Sequence, residues 1–576
     1  MKLLYILITT SLLLVLGNSC ALIKPKRPVA IQEKKYREVQ KIPPSEFYYH
    51  ILVGGLYLAE RDWDEAINQY KTALQYGIDS PYLHAQIATI YLMQNNFDEA
   101  IKWCEKAVAV DNQYLEAHLL LAGIYAGQNN KTEAIKAYER VIALDPKQQD
   151  AYLYLGSLYA ESNQHQKAIE TLQRLLAINP ESSMAHFYLG NVYMSLKDYP
   201  TAEKNYARAL EINPGFESAL INLGIVNETQ NKPGTAIEIY KKILELRPHN
   251  QQIRNRLAYL LILNKEYNEA LDHLIILRKQ TGDEQGEIGI KIGLIYVEQK
   301  KFSLAKKEFI ELVQSNPQNY KAWYYLGTVY EELNKRSEAQ EAFQHIPPDS
   351  DMFPQAQIHL GYLYDVAGDR ITSKKIIQDA LKIKNKELSL YRFLASLYEK
   401  EKNYSDAIAV LNQALSIKPD DEESQYYLGI VYDKASMYDE SIKAMQAVLR
   451  INPQNADALN YIGYTYADRG INLDEAERLI KKALALKPND GYITDSLGWV
   501  YFKKGLYEKA IAELIKAMKF APKDPVIAEH LGDAYLKNNM FEKAIELYEK
   551  SLKLDPAREE VKKKLQQIRR HHPTTE

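Results

Sequence analysis

Small and apolar residues return along this chain with a single period. Marking the small residue within each apolar-rich stretch, Gly54, Ala88, Ala122, Gly156, Gly190, Gly224 and Ala258 follow at steps of 34. The series resumes at Gly293, Gly327, Gly361, Ala395, Gly429 and Gly463, then Gly498 and Gly532. Fifteen repeats run from Phe47 to Arg558, with one-residue additions between Ala258 and Gly293 and between Gly463 and Gly498. A second small residue usually stands twelve places after the first, as at Ala66, Ala100 and Ala134, and a proline closes ten repeats, from Pro146 to Pro556. The spacing predicts two helices per repeat. Small residues at places eight and twenty let the two helices approach closely, and larger ones such as Tyr57 and Tyr70 fill the space beside them. Proline cannot continue a helix interior, so it ends the second helix. Each repeat buries its apolar face only against its neighbours, so the last one needs a polar cover. Residues Glu559 to Arg570 supply it, with Val561, Leu565 and Ile568 on one helical face and charge elsewhere.

This pattern of aromatic, Leu-Gly, Tyr, Ala, aromatic and Pro resembles the tetratricopeptide repeat. In KAWYYLGTVYEELNKRSEAQEAF the marks are Trp323, Leu326, Gly327, Tyr330, Ala339 and Phe343. The resemblance implies an all-α solenoid superhelix of about fifteen helix-turn-helix repeats plus a C-terminal capping helix. The repeats divide into a regular N-terminal set at 47–250, an irregular middle at 251–353 and a C-terminal set at 354–558, followed by the cap and tail at 559–576. Two features make the middle irregular. The repeat from Gln251 to Gln285 lacks its proline, and Pro347 and Pro348 cut a second helix short, so superhelix curvature is expected to change there. The second added residue lies in ADRGIN, between the two helices of its repeat, where Gly470 can take a positive φ.

The amino terminus predicts targeting. Lys2 and the apolar run Leu3 to Leu16 make a lipoprotein-type signal peptide at 1–19, too short to span a bilayer comfortably. It ends in LGNSC, which resembles the bacterial lipobox: Ser19 and Cys20 fit, and Gly17 departs from the usual leucine. The resemblance implies acylation of Cys20. Ala21 follows it in place of the aspartate associated with inner-membrane retention, which implies a periplasm-facing outer-membrane lipoprotein in a Gram-negative cell. Residues 20–46, with Pro25, Pro28, Pro43 and Pro44 among basic residues, read as an extended tether.

Composition narrows the function. A net charge of -3 gives no pull toward nucleic acid. The two cysteines, Cys20 and Cys104, support neither a disulfide framework nor a zinc site, and Cys104 stands at a core place held elsewhere by Tyr70, Tyr138 or Tyr206. No phosphate loop, HExxH, CxxC or GxSxG occurs, so no enzyme activity, cofactor or metal is expected. Function then falls on the concave surface, to which places two, five, nine, twelve and thirteen turn in tetratricopeptide proteins. In the last four repeats these places include Tyr426, Asp433, Tyr464, Asp468, Tyr492, Asp495, Trp499 and Asp533, an acidic, aromatic-studded groove suited to a protein segment. The carboxylate clamp of some tetratricopeptide domains is not expected, because the corresponding places are Phe187, Asn191, Asn222, Gln252 and Arg256, without the two lysines.

One stretch is more particular. NYIGYTYADRGINLDEAERLIKKALALKP, DGYITDSLGWVYFKKG and DPVIAEHLGDAYLKNN resemble the C-terminal repeats of a bacterial lipoprotein family, and the added residue belongs to that pattern. Its best-understood members are outer-membrane adaptors of a periplasmic carboxyl-terminal processing protease. The resemblance implies a scaffold that brings such a protease to cell-wall hydrolases. Rival readings are an assembly factor for polysaccharide export, secretion or pili, and a module that binds glycan through its tyrosines and Trp499.

Overall fold

The computed structural model describes residues 44–571. The signal peptide, Cys20 and the tether up to residue 43 lie outside the described residues, as does the tail beyond His571. The described residues contain 31 α-helices, numbered in chain order from α1 (Ser45–Glu60) to α31 (Glu559–His571), and no strand. They make fifteen helical hairpins followed by α31, the predicted polar cap. A typical hairpin pairs Leu115–Gly127, 13 residues, with Lys131–Leu144, 14 residues.

Caps set the helix ends. Asp62, Asn96, Asn130 and Asp198 accept a backbone N–H at the start of second helices, and Asn250, Asn319, Asp421 and Asn455 do so for first helices. The turn inside each hairpin requires one left-handed residue, usually not glycine: Asn95 has φ 59, Lys197 φ 60 and Lys402 φ 57. A Cβ in that region costs roughly 1–2 kcal/mol, partly offset by the greater freedom glycine gives the unfolded chain. Lys402→Gly is therefore expected to stabilise the protein by about 0.5–1 kcal/mol, seen as a higher urea midpoint at an unchanged slope.

Small residues work as expected within hairpins. A Cβ added at Gly190 would lie 2.5 Å from the Tyr206 ring, and one at Gly463 would lie 2.5 Å from Ile480 and 3.0 Å from the backbone oxygen of Ala476. Place 24, which holds Tyr206 opposite Gly190, holds Cys104 in the repeat whose place eight is Ala88. The Cys104 side chain is fully buried, and burial, with Glu105 adding, pushes its thiol up to about 12.

Both added residues appear as turn changes. Between Ala456–Asp468 and Leu473–Leu486, Gly470 takes φ 69 and Asn472 takes φ 47. Two left-handed residues replace the usual one, and Asn472 caps the second helix without a side-chain bond. In the irregular middle, the helix Tyr267–Thr281 is one residue longer than the typical second helix, and Asp283 accepts N–H bonds from Ile288 and Gly289 at 3.0 and 2.8 Å. Arg336–Gln344 is cut to nine residues before Pro347 and Pro348.

The chain separates into two compact units, one ending at Lys232 and the other beginning at Pro233. The division falls inside the sixth repeat. The first unit holds one apolar core from Phe47 to Val192, with a small cluster around Tyr206 after it. In the second unit, cores around Phe309, Phe343 and Leu411, and Trp499 follow in chain order. No helix among the described residues is long and apolar enough to cross a membrane.

Candidate functional site

The predicted face lies in the second unit, on the first helices Glu422–Lys434, Ala456–Asp468, Gly491–Lys503 and Pro525–Lys537. Because equivalent places recur one repeat apart, a long cation on one repeat can reach back to an acid on the one before. Lys400 Nζ donates to Asp365 Oδ2 at 2.6 Å, and Lys434 pairs with Glu399. Lys503 Nζ donates to the Asp468 carbonyl oxygen at 2.8 Å. At the end of the row, α31 supplies the cation: Lys564 Nζ lies 2.8 Å from Glu529 Oε1 and 2.7 Å from Asp533 Oδ2. The Tyr548 hydroxyl also donates to Asp533, at 2.5 Å. Burial pulls the Glu529 pKa upward, but hydrogen bonds from Lys564 and Arg558 outweigh it and hold the carboxyl below its ordinary value.

Between these clamps sits an aromatic stack. Both Asp495 carboxylate oxygens lie 3.0 Å from His530 Nδ1. The His530 ring stacks on Trp499 with centroids 4.0 Å apart, and Phe502 stacks on Trp499 at 4.7 Å. Trp499 Nε1–H donates to Asp468 Oδ1 at 3.3 Å, and Lys503 Nζ lies 5.0 Å from the ring. Tyr464 is pushed up to about 12 by burial first, with Asp468, Asp495, Glu529 and Asp433 adding. Burial also raises Tyr426, with Asp457 adding.

The eight predicted binding residues thus fall into three groups. Tyr492, 63% exposed, and Asp468 stand in solvent. Tyr426, Asp433 and Tyr464 are partly buried. Asp495, Trp499 and Asp533 are buried and bonded within the protein. The expectation of an open aromatic at Trp499 is corrected: at 8% exposure, stacked on two rings, it offers no face to a ligand ring. It holds adjacent repeats together instead. Cys20 lies outside the described residues.

Sequence reasoning missed His530 and Lys564. His530 has no sequence signal, since place six varies between repeats. Lys564 was legible as lying off the apolar stripe of its helix, but its partners were not. In the first unit, Asn191 and Asn222 turn on each other and on Tyr206: the Tyr206 hydroxyl donates to Asn191 Oδ1 at 2.8 Å, and Asn222 Nδ2 donates to the same oxygen at 2.9 Å. Among the described residues, no group of three His, Cys, Asp or Glu side chains is placed to hold a metal ion.

Comparison with known proteins identifies the repeat. Sequence models of the tetratricopeptide repeat match residues 57–124, 106–149, 119–183, 183–216, 229–287, 296–358, 388–421, 426–491, 496–524 and 530–557. No curated protein matches the chain. Among solved structures, a tetratricopeptide repeat protein from Parabacteroides merdae is 20% identical, with 44% of this chain and 99% of that one covered and a TM-score of 0.36. The Cut9–Hcn1 hetero-tetramer of the APC/C is 15% identical over 87% of this chain and 98% of that one, also at 0.36. MamA is 30% identical over 28% of this chain and 93% of that one, at 0.27.

Proposed function

Because the chain belongs to the tetratricopeptide repeat family, we propose that it is a non-enzymatic scaffold that binds proteins in the bacterial cell envelope. The observation that carries this reading is the first-helix face of the last four repeats. Asp495, Glu529 and Asp533 are fixed by contacts from the next repeat or the cap, and Tyr492 and Asp468 stand exposed beside them. A fixed acidic face with an exposed aromatic suits a protein segment, because little ordering remains to be done on binding.

In its finer form, the protein is an adaptor that holds a periplasmic processing protease and its cell-wall hydrolase substrates together. It is anchored through acylated Cys20 on the periplasmic side of the outer membrane. Two ligands on one row of repeats meet at a raised effective concentration, and this needs no chemistry from the scaffold. Support for this form comes from the run Asn460 to Lys537 and its added turn residue, together with the lipobox-like LGNSC.

The test is capture from envelope extract by residues 21–576, with Tyr492→Ala and a form lacking 456–558 as comparisons. Recovery of a processing protease with hydrolases, weakened by Tyr492→Ala and lost on deletion, supports the adaptor. Recovery of export or pilus components in their place sinks it and leaves the scaffold.

A further inference from the structure

The first-helix face of repeats one to four is unlike that of the last four. Its places two, five, nine, twelve and thirteen are largely apolar. Tyr48, Tyr82 and Met93 stand at 51, 44 and 44% exposure. Leu58, Leu92, Leu119 and Leu153 lie partly buried on the core beneath. Between them, place nine holds Gly55, Thr89, Gly123 and Ser157, where the last four repeats hold Ile430, Tyr464, Trp499 and Asp533. Two of these small residues serve no contact inside the unit. Gly55 and Gly123 sit within the helices Ser45–Glu60 and Leu115–Gly127, and neither takes a positive φ. A Cβ added at Gly123 would meet nothing within 4 Å, and one at Gly55 only the Tyr70 hydroxyl, at 3.8 Å. At Gly54, by contrast, it would lie 2.7 Å from the Tyr70 ring. A glycine inside a helix weakens it relative to alanine, so Gly55 and Gly123 cost stability that no internal contact returns. Gly127, one turn after Gly123, is open in the same way.

The charge of this face has one sign. In repeats one to four the same five places hold no lysine or arginine, and their charged residues are Glu116, Asp150 and Glu161. Glu161 pairs with Lys131, at place seventeen, at 3.0 Å. Glu116 accepts from the Tyr114 hydroxyl at 2.9 Å. Neither Glu116 nor Asp150 pairs with a cation among the described residues, and both are exposed. In the last four repeats, place thirteen holds Lys434, Lys503 and Lys537, and the first two reach back to the repeat before. The acids of that end are met from within the chain, whereas Glu116 and Asp150 are left for a partner.

We propose that the first-helix face of repeats one to four is a second docking surface, and that its occupant is a cationic amphipathic helix of a partner protein. The apolar face of that helix lies on the leucines and tyrosines, with small residues of its own over Gly123 and Gly127, and its Lys or Arg side chains meet Glu116 and Asp150. The glycines favour a helix because side chains at the crossing set how closely two helices approach, and an apolar groove takes the apolar face of an amphipathic helix. The charge selects its sign, and it disfavours a second copy seated face to face, whose acids would oppose these. The proposal rests on the reading of the chain as a protein-binding scaffold and gives that scaffold a second ligand, held in the first unit.

Peptide selection tests this. Displayed random peptides of about sixteen residues, four to five helical turns, would be selected on residues 21–576 and counter-selected on the same chain carrying Gly123→Leu. The survivors are expected to be cationic and amphipathic, and to gain helix on binding. By fluorescence anisotropy, Gly123→Leu should weaken them at least about tenfold, and Asp150→Lys with Glu116→Lys should do the same and remove their salt dependence. Tyr492→Ala should leave their affinity unchanged. The urea midpoint of Gly123→Leu should not fall, because the side chain enters open space and leucine favours a helix. No survivors, survivors that are acidic or without an apolar face, or affinity indifferent to Asp150→Lys with Glu116→Lys would overturn the proposal. Capture from envelope extract that still depends on Tyr492 would then leave the scaffold reading standing. A dimer of the free chain, split by Gly123→Leu in sedimentation velocity, would overturn it in favour of a second copy on this face.

Discussion

Trp499→Ala is expected to destabilise the C-terminal repeats by about 3–5 kcal/mol, the range for removing a large buried ring. The indole fills the space between Phe502 and His530 and donates to Asp468, so its loss opens a cavity and frees both stacked rings. Stability in a row of repeats is a sum of nearest-neighbour terms, so the loss should be local. Hydrogen exchange should show repeats 13 to 15 opening while the first unit is unchanged. Tyr492→Ala, at an exposed place, should alter stability by no more than about 0.5 kcal/mol. The pair separates two roles that a binding assay alone would merge. Binding lost with Trp499→Ala reports unfolding, and binding lost with Tyr492→Ala reports contact. Exchange that stays native in Trp499→Ala would contradict the buried stack.

The second large effect belongs to the cap. Leu565→Ala together with Ile568→Ala removes two buried side chains at about 2–5 kcal/mol each. The helix α31 should detach, taking Lys564 away from Glu529 and Asp533 and leaving Asp533 with only the Tyr548 hydroxyl. The last hairpin should then fray, measurable as faster exchange over residues 525–571. Acid should push the same way. The folded-state pKa of Glu529 is depressed, so its contribution is fully present above the ordinary value of 4.5 and is lost as the pH falls through the lower folded value. The cap should therefore loosen below about pH 4.5, and Glu529→Gln should flatten that dependence.

Helix count and order were legible because one period, two small places and a closing proline recur in step, and each mark has a single physical reading. Gly470 was legible as a left-handed residue because it is the glycine of the turn that carries the added residue. Asn472 was not, because the added residue could be absorbed at either end of the turn. The division at Lys232 was not legible either: the marks continue through the sixth repeat without a change. At the candidate site, the first-helix places were legible but their burial was not. A tryptophan at a place usually small or polar looks like an anchor for a partner. It becomes a core residue only because a histidine 31 positions later lies over it. Asp533 likewise looks free until a lysine beyond the last repeat arrives. Periodicity places residues within a repeat, while burial on this face is decided by what the next repeat brings.

Cys104 offers a use that its packing makes available. A thiol that is fully buried and held near 12 reacts with a maleimide or disulfide reagent at neutral pH only when the second repeat opens. Its labelling rate, followed by peptide mapping, is therefore a clock for the breathing of one hairpin near the amino-terminal end. The same clock, read with and without a captured partner, would report whether occupancy at the distant end of the chain is felt at the second repeat.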